Sequence, residues 1–315
     1  VLRLIGIRLL LGVATLVAVS ILIFLCVQIL PGDVCAAVQG QSATADSLRV
    51  CRDELGLNAP MHERYLAWFV GALQGDLGLS LTNKREIVND ILPRFYNTLF
   101  LAGYAAVIAI PFSVGLGIIA AIREGRPVDR ISNILTLATI SIPEFFIGYI
   151  LILIFSVHLG WLPSLATVFD TMSFGERIYA TTLPALTLTL LVAAHMLRMT
   201  RNSVLSVMSS PYVEMAFLKG MRRSRVVARH ALPNAAAPII TVVALNLAYL
   251  VVGVVVVEAV FVYPGVGQYM VDAVTKRDVP VVQACGLLFA AVFVGLNTAA
   301  DIAAILVNPR LRHKR

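Results

Sequence analysis

Six apolar runs, near 8–30, 97–122, 131–158, 181–206, 235–263 and 282–306, constrain this chain more than any motif in it. Each can supply the roughly 20 residues that a helix needs to cross the hydrocarbon core of a bilayer. In lipid every backbone amide and carbonyl must be bonded within the protein, so runs of this length fold as helices. The expected class is an all-α integral membrane protein with six transmembrane helices. Charged residues make up only 14% of the chain, against about 25% in an ordinary soluble domain. The fourth run is interrupted near its end by His195, Arg198 and Arg201; long basic side chains close to a helix end reach the interface. The first run follows Arg3 and Arg8. It is longer than the about 7–15 residues of a secretory signal core and no small-residue cleavage site follows it, so it reads as the first membrane helix.

Lys and Arg in the connecting segments orient the chain. Segments 31–96, 159–180 and 264–281 hold 9 basic and 12 acidic residues, whereas 1–8, 123–130, 198–234 and 307–315 hold 16 basic and 3 acidic. The second set is expected on the cytoplasmic side, with both termini. The organisation expected is a first helix within 1–30, an extracytoplasmic loop over 31–96, and a five-helix core over 97–315.

The outer loop is too long for a bare connector. Leu48, Val50, Cys51 and Leu55 suggest a helix over 45–55, stopped by Gly56. A second helix is expected over 61–73, where Tyr65, Trp68 and Phe69 suit the headgroup level. Cys35 and Cys51 both lie in this loop. In an oxidising compartment they are a candidate disulfide, closing a loop of about 15 residues for roughly 3 kcal/mol; two unrelated thiols are the other reading. Cys26 and Cys285 lie in apolar runs as packing residues.

Three acids fall within the spans: Glu144, Glu258 and Asp301. A carboxylate at the bilayer centre costs at least about 2.5–3.5 kcal/mol, so each must face protein or water. Either they belong to a water-filled route or gate, or they are structural carboxylates bonded to backbone amides or a neighbouring helix. Pro143, just before Glu144, marks either a packing kink or a flexing segment. Asn246 and Tyr249 in the fifth run are candidate pathway residues on the same two-sided terms. No spacing of acids or of the five histidines suggests acid–base chemistry or a metal site. No Gly-Lys dipeptide occurs, so a phosphate-binding loop is absent and nucleotide hydrolysis is not expected of this chain.

Residues 210–238 form a basic island between the fourth and fifth runs. Ser210 and Pro211 can start a short helix over 212–219 that Gly220 ends. A second is expected from Ser224, as cap, to Ala231, closed by Pro233. Such a knob can lie on anionic lipid, bind nucleic acid or dock with a partner protein.

The island also resembles a known family. Glu214-Met215-Ala216, then Gly220, then Leu232-Pro233 is similar to the cytoplasmic signature of ABC importer membrane subunits, Glu-Ala-Ala, three residues, Gly, nine residues, Ile-x-Leu-Pro. It departs from that pattern at Met215, and Ala231 stands near the place of an apolar anchor. Further matches point to the dipeptide, oligopeptide and nickel branch: Leu30-Pro31-Gly32-Asp33, Glu54-Leu55-Gly56-Leu57, Gly75-Asp76-Leu77-Gly78, Ser141-Ile142-Pro143, and Glu258 with Phe261, Pro264-Gly265 and Gly267. Asn308-Pro309-Arg310 resembles an Asp-Pro-Arg ending with the acid replaced. The long outer loop resembles the first subunit of such permease pairs.

The resemblance implies a type I ABC importer permease fold and half of a translocation pathway for peptides or similar solutes. The partners it implies are a homologous second permease subunit, two ATPase subunits that bind ATP and Mg, an extracytoplasmic binding protein and the surrounding lipid. No nucleic acid is implied, and no cofactor in this chain. The ATPase-coupling residues it assigns are Glu214, Ala216, Phe217, Gly220, Arg229, Leu232 and Pro233, within 210–234. The alternatives are a secondary transporter or channel driven by an ion gradient through Glu144 or Glu258, and a purely structural assembly subunit.

Overall fold

The computed structural model describes residues 2–29, 35, 44–54, 58–169 and 171–307. Pro31-Gly32-Asp33, Leu55-Gly56-Leu57 and Asn308-Pro309-Arg310 lie outside the described residues.

Helix α1 spans Leu2–Ile29. Two shorter helices follow, α2 over Ala45–Glu54 and α3 over Met61–Leu73. The start of α2 is fixed by Thr44 and Ser47, whose side chains accept each other's backbone amides at 3.2 and 2.9 Å. After α3 the chain turns at Gly75 and Gly78, both at positive φ, with the Gly78 amide on Asp76. The long helix α4 then runs Ile87–Ile122, ten residues earlier than its apolar run begins.

The third run is not one helix. It divides into α5, Pro127–Ser141, and α6, Glu144–Leu151, which widens into a π-helical stretch over Ile152–His158; the two halves are bent by 106°. The cause is local. Proline disfavours helical backbone in the residue before it, and Ile142 is extended at φ −92, ψ 132. Pro143 then serves as the N-cap of α6. Pro143 is thus a break, sharper than the kink that helix packing alone requires.

Helix α7 spans Phe174–Met208 and starts seven residues before the apolar run, because Ser173 and Glu176 form a capping box. Next come α8 over Pro211–Leu218, α9 over Arg223–Val226 and a π-helical turn over Val227–Ala231. Helix α10 runs Leu232–Phe261, α11 covers Val266–Thr275 and α12 covers Val279–Val307. Among the described residues five helices are long and apolar enough to cross a membrane, or six with the broken pair as one span. The only β-type pairing among them is an isolated bridge, Leu79 with Glu86.

Between helices in lipid there is little hydrophobic driving force, so small residues and close backbone approach carry the packing. Helices α4 and α7 run parallel, with Asn97 beside Arg177, Ala105 beside Thr189 and Gly117 beside Thr200 in succession. Ala102, Ala105, Ala109, Ala120 and Ala121 of α4 are buried, as are Ala185, Ala193 and Ala194 of α7. A Cβ on Gly117 would lie 2.9 Å from the Leu197 carbonyl oxygen. Helix α10 crosses this pair in the opposite sense, with Ile239 near Ala121 at one end and Glu258 bonded to Thr98 at the other.

Helix α1 is peripheral and runs antiparallel to α12. Arg8 pairs with Asp301 at 2.9 Å, Gly12 meets Thr298, and Ile23 meets Gly286. The knob over 210–231, Arg8 and Asp301 therefore share one end of the bundle. The other end carries α3, the turn at 78–86 and α11. The α3 aromatics dock on α1: Tyr65 shares a hydrogen bond with Ser20 at 2.8 Å, and its ring meets Phe24 edge-on at 5.5 Å.

Candidate functional site: a two-helix knob and a buried carboxylate

In the knob, Ser210 occupies the N-cap position of α8, but its hydroxyl does not cap. It bonds back to the Val207 carbonyl at 2.5 Å, and the Ser210 carbonyl receives the Val213 and Glu214 amides. The C-terminus closes as a Schellman motif. The Met221 amide reaches Ala216 O at 3.3 Å, the Gly220 amide reaches Phe217 O at 2.8 Å, and Gly220 is left-handed at φ +76. Gly220 therefore has the φ that glycine adopts without a Cβ penalty.

The second arm differs from the sequence expectation. It starts at Arg223, so Ser224 lies inside the helix; the Arg222 carbonyl caps it, accepting the Arg225 and Val226 amides at 2.9 and 3.0 Å. Pro233 does not close it either. The π-helical turn at 227–231 loosens the ladder just where a proline ring would strike the preceding carbonyls, so Pro233 is taken up near the start of α10 without ending the helix. The helix is continuous over Ser224–Phe261.

Val213, Ala216 and Val226 form the knob's own core, with Met208, Phe217 and Met221 packed on it. Val227, Ala231 and Ala235 continue inward to Ala121 of α4 and Val204 of α7. Of the residues assigned to coupling, Ala216 is buried, and Phe217 and Leu232 are half-buried. Ala216 and Phe217 belong to the knob's own core, and Leu232 packs on the cluster that joins it to α4 and α7. Glu214, Gly220, Arg229 and Pro233 are exposed. The outward apolar surface belongs to Tyr212, Met215 and Leu218, 45%, 54% and 75% exposed; the sequence marked Met215 only as a departure from the family pattern.

At the opposite end Glu258 is fully buried. Its Oε1 accepts the Thr98 hydroxyl at 2.7 Å; its Oε2 accepts the Gly267 and Gln268 amides at 2.7 and 3.2 Å. Those amides open α11, whose N-cap residue Gly265 has no side chain to offer. Glu258 thus caps α11 from another helix, where negative charge is favoured, and Thr98 takes the Val266 amide at 3.0 Å. A Cβ on Gly265 would overlap the Glu258 carboxylate, and one on Gly267 would lie 2.5 Å from Val255 Cα. Next to it Asn97 donates to the Pro264 carbonyl and accepts from Arg177, whose guanidinium lies over the Tyr96 and Phe100 rings at 4.9 and 4.4 Å. The Tyr263 hydroxyl donates to the Asn97 carbonyl at 2.8 Å. Burial pushes the Tyr269 hydroxyl of α11 up to about 12. This is the arrangement of a structural carboxylate, one of the two roles the sequence left open.

The remaining candidates are dispersed. Asn246 bonds back to Val242 O at 2.7 Å, and Tyr249 is exposed. Glu144 is half-buried at the start of α6. Cys35 is buried and disulfide-bonded; the Cys51 side chain lies outside the described residues. Two clusters carried no local signal because their partners are remote in sequence. Asp129 receives both Arg201 Nε and Nη2 at 2.5 and 2.8 Å, plus the Gly125 amide and Asn133. Asp278 receives the Ser80 hydroxyl and the Leu81 and Thr82 amides at 2.5, 3.1 and 3.1 Å.

Two family descriptions match the chain: the N-terminal part of binding-protein-dependent transport system membrane components over residues 1–102, and the binding-protein-dependent transport system inner membrane component over 113–313. Similar curated proteins include the glutathione transport system permease protein GsiC of Escherichia coli strain K12 and of Shigella dysenteriae serotype 1. Each is 40% identical over 307 residues, 98% of this chain and 98% of the relative. Among solved structures, the inward-facing MetNI methionine ABC transporter matches with TM-score 0.54 and 18% identity, over 70% of this chain and 96% of that one, and speaks for the fold alone. The chain belongs to the family of binding-protein-dependent transport system inner membrane components, the permease subunits of ABC importers.

Proposed function

We propose that this subunit forms half of the translocation pathway for short peptides, glutathione among them, and that residues 210–234 transmit the ATPase stroke to it. The observation that carries the reading is the knob: a Schellman-closed pair of helices, cored by Val213, Ala216 and Val226, presenting Glu214, Met215 and Leu218 outward. A rigid unit with its own core transmits force; a basic segment resting on lipid needs none. Both termini and the knob face the cytoplasm in this reading, and the charge asymmetry supports it. The complex comprises a homologous second permease subunit, two ATPase subunits that bind ATP and its magnesium, and a binding protein docking on the loop over 31–96. ATP binding biases an exchange between inward-open and outward-open arrangements. This chain supplies no nucleotide chemistry.

The experiment is gentle purification of the tagged subunit with its neighbours, followed by glutathione and dipeptide uptake in vesicles. Co-purifying ATPases and uptake that survives collapse of the proton gradient are expected; uptake that follows the gradient with ATP maintained would overturn the reading. Within the outer loop we propose that Cys35 pairs with Cys51. Mass spectrometry without reductant should leave both resistant to alkylation.

A further inference from the structure

Helix α3 has 13 residues and rises about 20 Å, too short to cross a bilayer. At helical spacing it divides into sectors. Tyr65 and Trp68 are turned toward α1, where Tyr65 meets Ser20 and Phe24, and Trp68 meets Phe24 at 6.2 Å. Ala67 and Gly71 mark a second side, of small residues. Leu66, Val70 and Leu73 form a third, aliphatic stripe, 55%, 47% and 72% exposed. His62 and Glu63 stand in the first turn, ahead of that stripe. The aromatics that suit a headgroup level thus face protein, and the outward apolar surface is Leu and Val.

The level at which α3 docks identifies what covers the stripe. Arg8 pairs with Asp301 at the knob end, and charged groups on spanning helices belong near a membrane boundary. From Arg8, α1 rises about 18 Å to Ser20 and about 24 Å to Phe24, within the roughly 30 Å of the hydrocarbon core. Helix α12 gives the same level by a separate route. Ile23 of α1 meets Gly286. From Gly286, α12 continues about 10 Å to its end at Val279, where the Asp278 carboxylate gathers polar groups of the turn at 80–82. The α3 contacts therefore lie on the apolar side of that polar rim. Ile21, Leu22 and Leu25 of α1 flank the docking residues and are exposed too. On a peripheral spanning helix such side chains meet acyl chains, and the α3 stripe adjoins them.

We propose that α3 lies in the bilayer interface at the end opposite the knob, with Leu66, Val70 and Leu73 among lipid acyl chains and the side of Ala67 and Gly71 toward water. The segment that follows, through Gly75 and Gly78 to the turn held by Asp278, is then seated on lipid as well as on α1. This holds whatever solute the importer carries.

The test places a nitroxide on Leu66→Cys, Val70→Cys, Leu73→Cys or Ala67→Cys, each in a Cys26→Ser chain. Of the free cysteines among the described residues, Cys26 is exposed and Cys285 is buried. The whole complex is reconstituted in proteoliposomes. Collisions of the label with oxygen, which concentrates in acyl chains, are compared with collisions with a nickel chelate, which stays in water. The oxygen-to-nickel ratio should be higher at each of Leu66→Cys, Val70→Cys and Leu73→Cys than at Ala67→Cys. A ratio no higher than at Ala67→Cys overturns the proposal, because the stripe is then no more lipid-facing than the small-residue side. Low collision with both reagents overturns it as well, because the cover is then protein, either the rest of the loop or the second permease subunit. Leu73, the most exposed of the three, decides the case if a label at Leu66 or Val70 disturbs the helix.

Discussion

Thr98 donates its hydroxyl to Glu258 at 2.7 Å and, through the same oxygen, accepts the Val266 amide at 3.0 Å. One side chain of α4 thereby joins α10 to the start of α11. Thr98→Val keeps the shape and removes both bonds, leaving a buried carboxylate oxygen and a buried amide short of a partner. Each unmade bond costs about 1–3 kcal/mol. Thermal unfolding in detergent should show a lowered midpoint for Thr98→Val and little change for Thr98→Ser.

Gly267→Ala should be worse than its size suggests. The new methyl would meet Val255 Cα at 2.5 Å, and backbone cannot rotate aside. Forced methyls cost about 1–3 kcal/mol in packed sites. At Gly253 of the same α10 wall the nearest atom to a new Cβ is a Tyr249 ring carbon at 3.5 Å, ordinary contact. The pair of alanine variants, compared by thermal unfolding, should differ clearly in that order.

Asp129 and Arg201 hold α5 to α7 through two nearly parallel bonds, with little of either side chain exposed. Removing one partner strands the other, at about 3–5 kcal/mol for a buried pair. Asp129→Ala and Arg201→Ala should each be severe, and the double variant milder than their sum. A double-mutant cycle on unfolding midpoints or on expressed folded protein checks this.

Gly220 sits at φ +76, and a Cβ added there would meet nothing within 4 Å, so strain from a substitution is conformational rather than steric. A left-handed non-glycine residue costs roughly 1–2 kcal/mol. Gly220→Asn should be tolerated best, since asparagine tolerates this backbone. Gly220→Asp should leave the subunit in the membrane and lower substrate-stimulated ATP hydrolysis, read in the reconstituted complex. Glu214→Ala, on the exposed side of α8, should weaken ATPase co-purification without preventing assembly.

The helices were readable because lipid leaves the backbone few choices; each of the six apolar runs is largely helical among the described residues, the third in two pieces. What the runs could not show was where helices really begin. Helix α7 starts at a polar capping box, and α4 gains ten residues from Ile87 onward that hydropathy alone does not mark. The knob's first arm followed from Pro211 and Gly220. Its second arm did not, because a π-helical turn absorbs Pro233, and no residue type announces such a turn. Glu258 was visible as an anomaly, but its partners Thr98 and Gly267 lie on other elements. Asp129 with Arg201 was invisible for the same reason: 72 residues separate the pair.

The π-helical turn at 227–231 has one more consequence. By carrying the helix past Pro233 it makes a single beam of 38 residues from Ser224 to Phe261, roughly 55 Å long at the usual rise. One end is built into the knob; the other is bolted to α11 through Glu258. A beam of that length turns a slight tilt at its base into several ångströms of travel at its tip. In the proposed coupling, a movement imposed on the knob is carried along one helix to the end that Glu258 joins to α11.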